Sequence, residues 1–400
     1  MVCLDFFAEY TFGLHKLTVT IVSSKIAQYK FSVCSPGLIS IKSDSTESNV
    51  LLDNLDFSPD TCSISAVSSP VSVSFSLLAK SESSPYKSTF VQRLLDLICK
   101  GEALLCRFCQ GKLVNIKDVC KMDTLFSVDD LAESEAQSFC HSNNANSAGS
   151  TNLLSKIAEN IPISSGLCNG VEMLFNPSVW FPHSTVQTSS SDELLCARCR
   201  LVIGRTVNTD ENAGRILWTN CVSVWIEEFD VDGDYLRHIE APLILNDTDF
   251  FALLFSQFLD AKCYRVILSA GTCDSVIPYA LIWLFDQKVR LYTASIEDPP
   301  SDAEEHDAAN TPRVLEMHAE KILVSRVLYT ILRPQEEEKA DERLKEWSSD
   351  FSVASLTLPW ETCANLYTCL SQVTRRLPPG ARSGTGAMQG FMVGGFPLSE

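Results

Sequence analysis

Apolar and polar residues alternate along KLTVTIVSS (16–24) and again along SPVSVSFSLLAK (69–80). A period of two buries one side of a strand and wets the other, so both stretches are predicted as half-buried strands. Serine-rich polar runs such as SDSTES (43–48) separate them. STFVQRLLDLICK (88–100) fits a strand or a helix, and its apolar positions 90, 91, 94, 95, 97 and 98 suit a helix slightly better. Further strands are expected at RLVIGRTV (200–207), CVSVWIEEFDV (221–231), YLRHIEAPLIL (235–245), YRVILSA (264–270) and KVRLYTA (288–294). Asp232-Gly233-Asp234 offers a hairpin turn between the second and third of these.

DTDFFALLFSQFLDAK (247–262) is the clearest helix, opening on capping residues and carrying apolar positions 250, 251, 254, 255, 258 and 259. A short helix is expected from Thr362 to Thr374. TPRVLEMHAEKILVSRVLYTIL (311–332) fits either element. HSNNANSAGSTN (141–152) and PHSTVQTSSSDE (182–193) are poor in apolar residues and read as loops. They divide the chain into a strand-rich region at 1–140, an irregular segment at 141–192, and an α+β region at 193–400. RRLPPGARSGTG (375–386) reads as a flexible tail. The fold class is α+β, rich in strand.

The 400 residues are 45% hydrophobic, enough for one large core or two ordinary ones. A formal net charge of −18 argues against direct binding to nucleic acid. EDPPSDAEEHD (297–307) and PQEEEKADE (334–342) hold much of the acid and read as solvated loop. The first residues lack the basic and apolar regions of a leader, and SVIPYALIWLF (275–285) is too short to span a bilayer and reads as a buried strand. The chain is therefore expected to be soluble and intracellular, cytoplasmic with the nucleus as a second site, with no membrane partner. In that setting the sixteen cysteines stay reduced, and close pairs read as metal ligands before disulfides.

LLCRFCQGKLV (104–114) and LLCARCRLVIG (194–204) echo one another. Each is Leu-Leu-Cys-x-x-Cys followed by an apolar run. A turn of this kind aims two sulfurs at one point, and two turns supply the four thiolates of a tetrahedral zinc site. Cys106, Cys109, Cys196 and Cys199 are the expected ligands of one structural Zn2+. The two knuckles lie far apart in sequence, so they would join two β-sheets through tertiary folding. The bland alternative is a redox pair or incidental cysteines. Cys140 and His141 adjoin in SFCHSNN (138–144), where they are either a metal-binding pair or a lone thiol beside an exposed histidine. DVDGD (230–234) has its glycine in the wrong place for a calcium loop. No phosphate-binding loop or Gly-x-Ser-x-Gly is present.

Cys363 in LTLPWETCANL (356–366) supports two readings. On a helix, residues 363, 366, 370 and 373 share an apolar face, which makes Cys363 a packed residue. The same place, in the first turn, lies at the positive end of the helix dipole, which favours a thiolate nucleophile.

Five pieces in order along the chain resemble the HECT-like, E2-binding ubiquitin-protein ligases. They are CRFCQGKLV, the Cys-His of SFCHS, LLCARCRLVIGRTV, YALIWLFDQKVRLY, and LTLPWETCANLYTCLSQ with the apolar MQGFMVGGF behind it. The resemblance implies an E3 ligase that takes ubiquitin from an E2 ubiquitin-conjugating enzyme and passes it to substrates for proteasomal degradation. LPWETCANL is similar to the signature around the acceptor cysteine of true HECT ligases, which would make Cys363 the thioester acceptor within a HECT-like tail at about 355–400. The Cys-His loop is similar to one that plugs the zinc centre of metallo-β-lactamase-type endonucleases. That implies an alternative role: inhibiting or chaperoning an mRNA 3′-end-processing endonuclease, with Cys140 and His141 ligating the partner's zinc.

Overall fold

A computed structural model describes residues 3–24, 26, 29–34, 37–42, 46–69, 72–81, 90–116, 119, 121–124, 161, 165–176, 179, 186–188, 193–206, 214–229, 236–244, 247–271, 275–297, 313–332 and 337–398. Two compact units are built from separated stretches of chain. The first takes Met1–Tyr86, Asp286–Val327 and Leu370–Glu400, and the second takes Lys87–Phe285 and Leu328–Cys369.

The first unit begins with β1 (Cys3–Thr11), β2 (Lys16–Val22), β3 (Lys30–Cys34), β4 (Leu38–Lys42), β5 (Thr46–Leu51), β6 (Leu55–Ser69) and β7 (Ser72–Ser81). Strands β6-β7-β2-β1 pair antiparallel, as do β3-β4-β5. Leu17, Val19 and Ile21 of β2 are buried while the residues between them are not, as the alternation predicted. One core cluster holds Phe6, Tyr10, Val19 and Ile21 from the first sheet with Ile39, Ile41 and Val50 from the second, so the unit is a β-sandwich.

The second unit's first described element is α1 (Phe90–Lys100), so the stretch that fitted strand or helix is helix from Phe90. There follow β8 (Ala103–Cys106), β9 (Lys112–Asn115), β10 (Lys121–Thr124), β11 (Ser165–Cys168), β12 (Glu172–Phe175), β13 (Val186–Thr188), β14 (Glu193–Cys196), β15 (Val202–Thr206), β16 (Arg215–Trp218), β17 (Val222–Phe229) and β18 (Leu236–Pro242). They form a four-stranded sheet, β18-β17-β8-β9, and a seven-stranded one, β10-β11-β12-β16-β15-β14-β13. Part of the polar stretch 182–193 is thus the edge strand β13, paired with β14 through Val186 and Cys196. The expected loop at 141–152 lies outside the described residues, as does the Asp232-Gly233-Asp234 turn.

Next come α2 (Asp247–Asp260), β19 (Arg265–Gly271) and β20 (Val276–Glu297). The first part of β20 pairs with β19 in the second unit, and its residues 289–297 pair with β1 in the first. Within the undecided stretch 311–332 lie two strands, β21 (Arg313–His318) and β22 (Glu320–Ile331), with β21 parallel to β5. Two loop readings need correction. From Glu337 the acidic stretch forms α3 (Glu337–Ser348), because strong helix formers fill it and Trp347 anchors it. The Trp347 ring lies edge-on to Trp283 at 6.4 Å, with the Arg265 guanidinium 5.7 Å from its centroid. Strand β23 (Val353–Pro359) then pairs parallel with β19 and runs straight into α4 (Trp360–Arg375). The expected flexible tail is ordered: Arg382 donates to the carbonyls of Leu377 and Arg375, and the chain ends in β24 (Met392–Pro397), paired with β22. Phe391 and Phe396 are buried there, which fixes the segment. No helix among the described residues is long and apolar enough to cross a membrane.

Candidate metal centre and the Cys363 helix

The two Cys-x-x-Cys segments fold alike. Each strand, β8 and β14, delivers its first cysteine at its end, then a tight turn delivers the second. In each, the residue four after the first cysteine donates its N–H to that cysteine's carbonyl at 2.7 Å: Gln110 to Cys106 and Arg200 to Cys196. Both residues take left-handed backbone, φ 60° and 64°. The first cysteine's N–H in turn meets the carbonyl five residues on, Cys106 to Gly111 and Cys196 to Leu201. Both hairpins also slip register two residues before the turn, between Leu104 and Leu105 and between Leu194 and Leu195. The sequence echo is therefore an echo of backbone geometry.

The four sulfurs meet. All lie within 4.8 Å of one another, with Cys106 Sγ 3.7 Å from Cys199 Sγ and Cys109 Sγ 3.6 Å from Cys196 Sγ. Tetrahedral ligands about 2.3 Å from a zinc ion sit roughly 3.8 Å apart. The four are free thiols, from two different sheets, so a bound ion would tie those sheets together. The Cys196 thiol is drawn down to about 4, chiefly by the hydrogen bond from Cys106, while burial pushes Cys199 up to about 11. Cys106 is pushed up by the same hydrogen bond and by burial. Four thiols packed this closely cannot all ionise without a cation among them, and the donor set is that of a soft divalent metal.

Arg107, between the first two cysteines, reaches away from the sulfurs. Its Nη1 donates to Asp247 Oδ1 at 2.7 Å and to the Asn220 carbonyl at 3.0 Å. Asp247 opens α2, and its Oδ2 accepts from Asn365 Nδ2 of α4 at 2.5 Å. The sequence marked Asp247 only as a helix cap. Its partners come from far along the chain, so spacing carried no signal for the network.

Helix α4 has the predicted stripe: Cys363, Leu366, Leu370 and Val373 are each 0–1% exposed. Pro359 precedes it, Glu361 sits in its first turn and Arg375 in its last, matching the dipole at both ends. Cys363 is sealed. Its Sγ–H lies against the carbonyls of Ser269 (3.7 Å) and Leu358 (3.8 Å). Burial, with a smaller contribution from Glu361, pushes its thiol up to about 12. Desolvation outweighs the helix dipole at this site. Of the two readings of Cys363, its surroundings are those of the packed one. Beside it, Trp360 and Tyr367 are exposed on α4, and the Trp360 ring stands edge-on to Tyr279 of β20 at 5.5 Å. Ile277 of β20 is exposed too.

Cys140 and His141 lie outside the described residues. Among curated proteins and among solved structures, none matches the chain. A family model does match, over residues 14–388, which is nearly the whole chain and includes both knuckles, Cys363 and the strands between them. The chain belongs to the HECT-like ubiquitin-conjugating enzyme (E2)-binding family.

Proposed function

We propose that this protein is an E3 ubiquitin-protein ligase that binds a charged E2 and speeds the passage of ubiquitin from the E2 directly to a substrate lysine. The observation that carries the reading is membership of an E2-binding family together with a signature cysteine, Cys363, that is 0% exposed. In this scheme the lysine amine attacks the thioester carbonyl held by the E2. The carbon–sulfur bond breaks, an isopeptide bond forms, and the E2 leaves as its thiol. The four-cysteine site holds structural Zn2+, whose role is to fix two sheets. The surface assigned to the E2 is that of the exposed Trp360, Tyr367 and Ile277, with Tyr279 packed against the Trp360 ring. Exposed aromatic groups of this kind, in a chain of net charge −18, are suited to a specific partner surface.

Single-turnover discharge of a charged E2 tests this. Wild type and Cys363→Ala should discharge it equally per folded molecule, and no reductant-sensitive ubiquitin adduct should form on the chain. An adduct on wild type that vanishes in Cys363→Ala, with loss of discharge, would restore the HECT-type thioester and overturn direct transfer.

A further inference from the structure

The hydrogen bonds around Arg107 form two branches that reach α4 on either side of Cys363. One runs from Arg107 through Asp247 to Asn365. The other runs from Arg107 to the backbone carbonyl of Asn220, whose side-chain Nδ2 donates to Thr362 Oγ1 at 2.9 Å. Asn220 and Thr362 are 1% and 2% exposed, so this second branch has no water to replace a lost partner. The Arg107 N–H also donates to the Cys221 carbonyl at 3.0 Å, pinning the knuckle backbone to the same turn.

We infer that the four-cysteine site and the first turn of α4 form one latch, in which a metal on the cysteines keeps the Cys363 thiol shut away. The metal fixes the turn that carries Arg107. Arg107 fixes Asp247 and the Asn220 turn, and these hold Asn365 and Thr362. With both anchors in place, Cys363 is pressed against the Ser269 and Leu358 carbonyls. Emptying the metal site releases Arg107, frees the first turn of α4, and makes the thiol accessible. Local opening of a helix end, with the rest of the unit intact, is the cheapest motion that does this. The chain would thereby carry a thiol whose availability reports metal loss, as under a chelator or an oxidant of the cysteines. This rests on the metal reading of the four cysteines, but one arm of the test is independent of it.

The test is alkylation of the folded protein, read at each cysteine by mass spectrometry, with metal content measured in parallel. Cys263 is 3% exposed in the same unit and serves as the control for general unfolding. In metal-loaded wild type, Cys363 and Cys263 should both be protected. Chelation should expose Cys363 while Cys263 stays protected. The Thr362→Val, Asn365→Ala double variant keeps all four cysteines. It should hold its metal and protect Cys263, yet alkylate at Cys363 at least about tenfold faster, the effect of losing two anchoring hydrogen bonds. Continued protection of Cys363 in that variant overturns the latch. So does chelation that exposes Cys263 together with Cys363, which would make the metal a support for the whole unit. Wild type that binds no metal overturns the metal's part in the latch, and the double variant then decides only whether the Thr362 and Asn365 hydrogen bonds seal Cys363.

Discussion

Asn220 and Thr362 are joined by a buried hydrogen bond of 2.9 Å, which ties the LPWETCANL motif to the turn at Asn220. Of its polar positions, Thr362 accepts from Asn220, Cys363 faces two carbonyls, and Asn365 donates to Asp247. Each of these three is used to seat α4. The residues that resemble an acceptor-site signature are, in this fold, the anchors of a helix beside a four-cysteine site.

The purified chain should carry one zinc ion. Cys106→Ser or Cys196→Ser should lose it and lower the melting temperature, while the second unit stays folded at room temperature with only the knuckles and the start of α4 loosened. Elemental analysis and thermal melts check this. Folded protein with no bound metal would refute it.

Cys363→Ser should cost about 1–2 kcal/mol of stability, because a hydroxyl replaces a thiol where burial already raises the thiol to about 12. Denaturant titration measures it. A Ser variant as stable as wild type would mean the position is wetter than the structure places it.

Trp360→Ala and Tyr367→Ala should each weaken E2 binding by about tenfold or more, as expected of aromatic anchors, and change stability little because both side chains are exposed. Calorimetric titration with the E2 is the measurement. Unchanged affinity in both variants would move the interface elsewhere.

Trp347→Ala should destabilise the second unit by about 3–5 kcal/mol, since it removes a buried ring packed on Trp283 and Arg265. Chemical denaturation, with circular dichroism for α3, reads the loss. A small effect would mean that α3 is held by something other than this ring.

The local elements were legible in the sequence. Alternation placed β2 and β7, the apolar stripe placed α4 with Cys363 inside it, and the repeated Leu-Leu-Cys-x-x-Cys placed two matching knuckles. These are short-range signals, because side-chain periodicity and turn chemistry act over a few residues. Where burial came from distant partners, local reading failed. The charged stretch before Trp347 is helix because Trp283 covers that ring, and the glycine-rich end of the chain is strand because β22 offers it an edge. Tertiary structure alone decided that Cys106, Cys109, Cys196 and Cys199 share one point, that Arg107 reaches Asp247, and that Cys363 is dry. Whether a thiol at a helix start is nucleophile or filler depends on its solvent exposure, and that is set by β19 and β23, whose Ser269 and Leu358 carbonyls close over it.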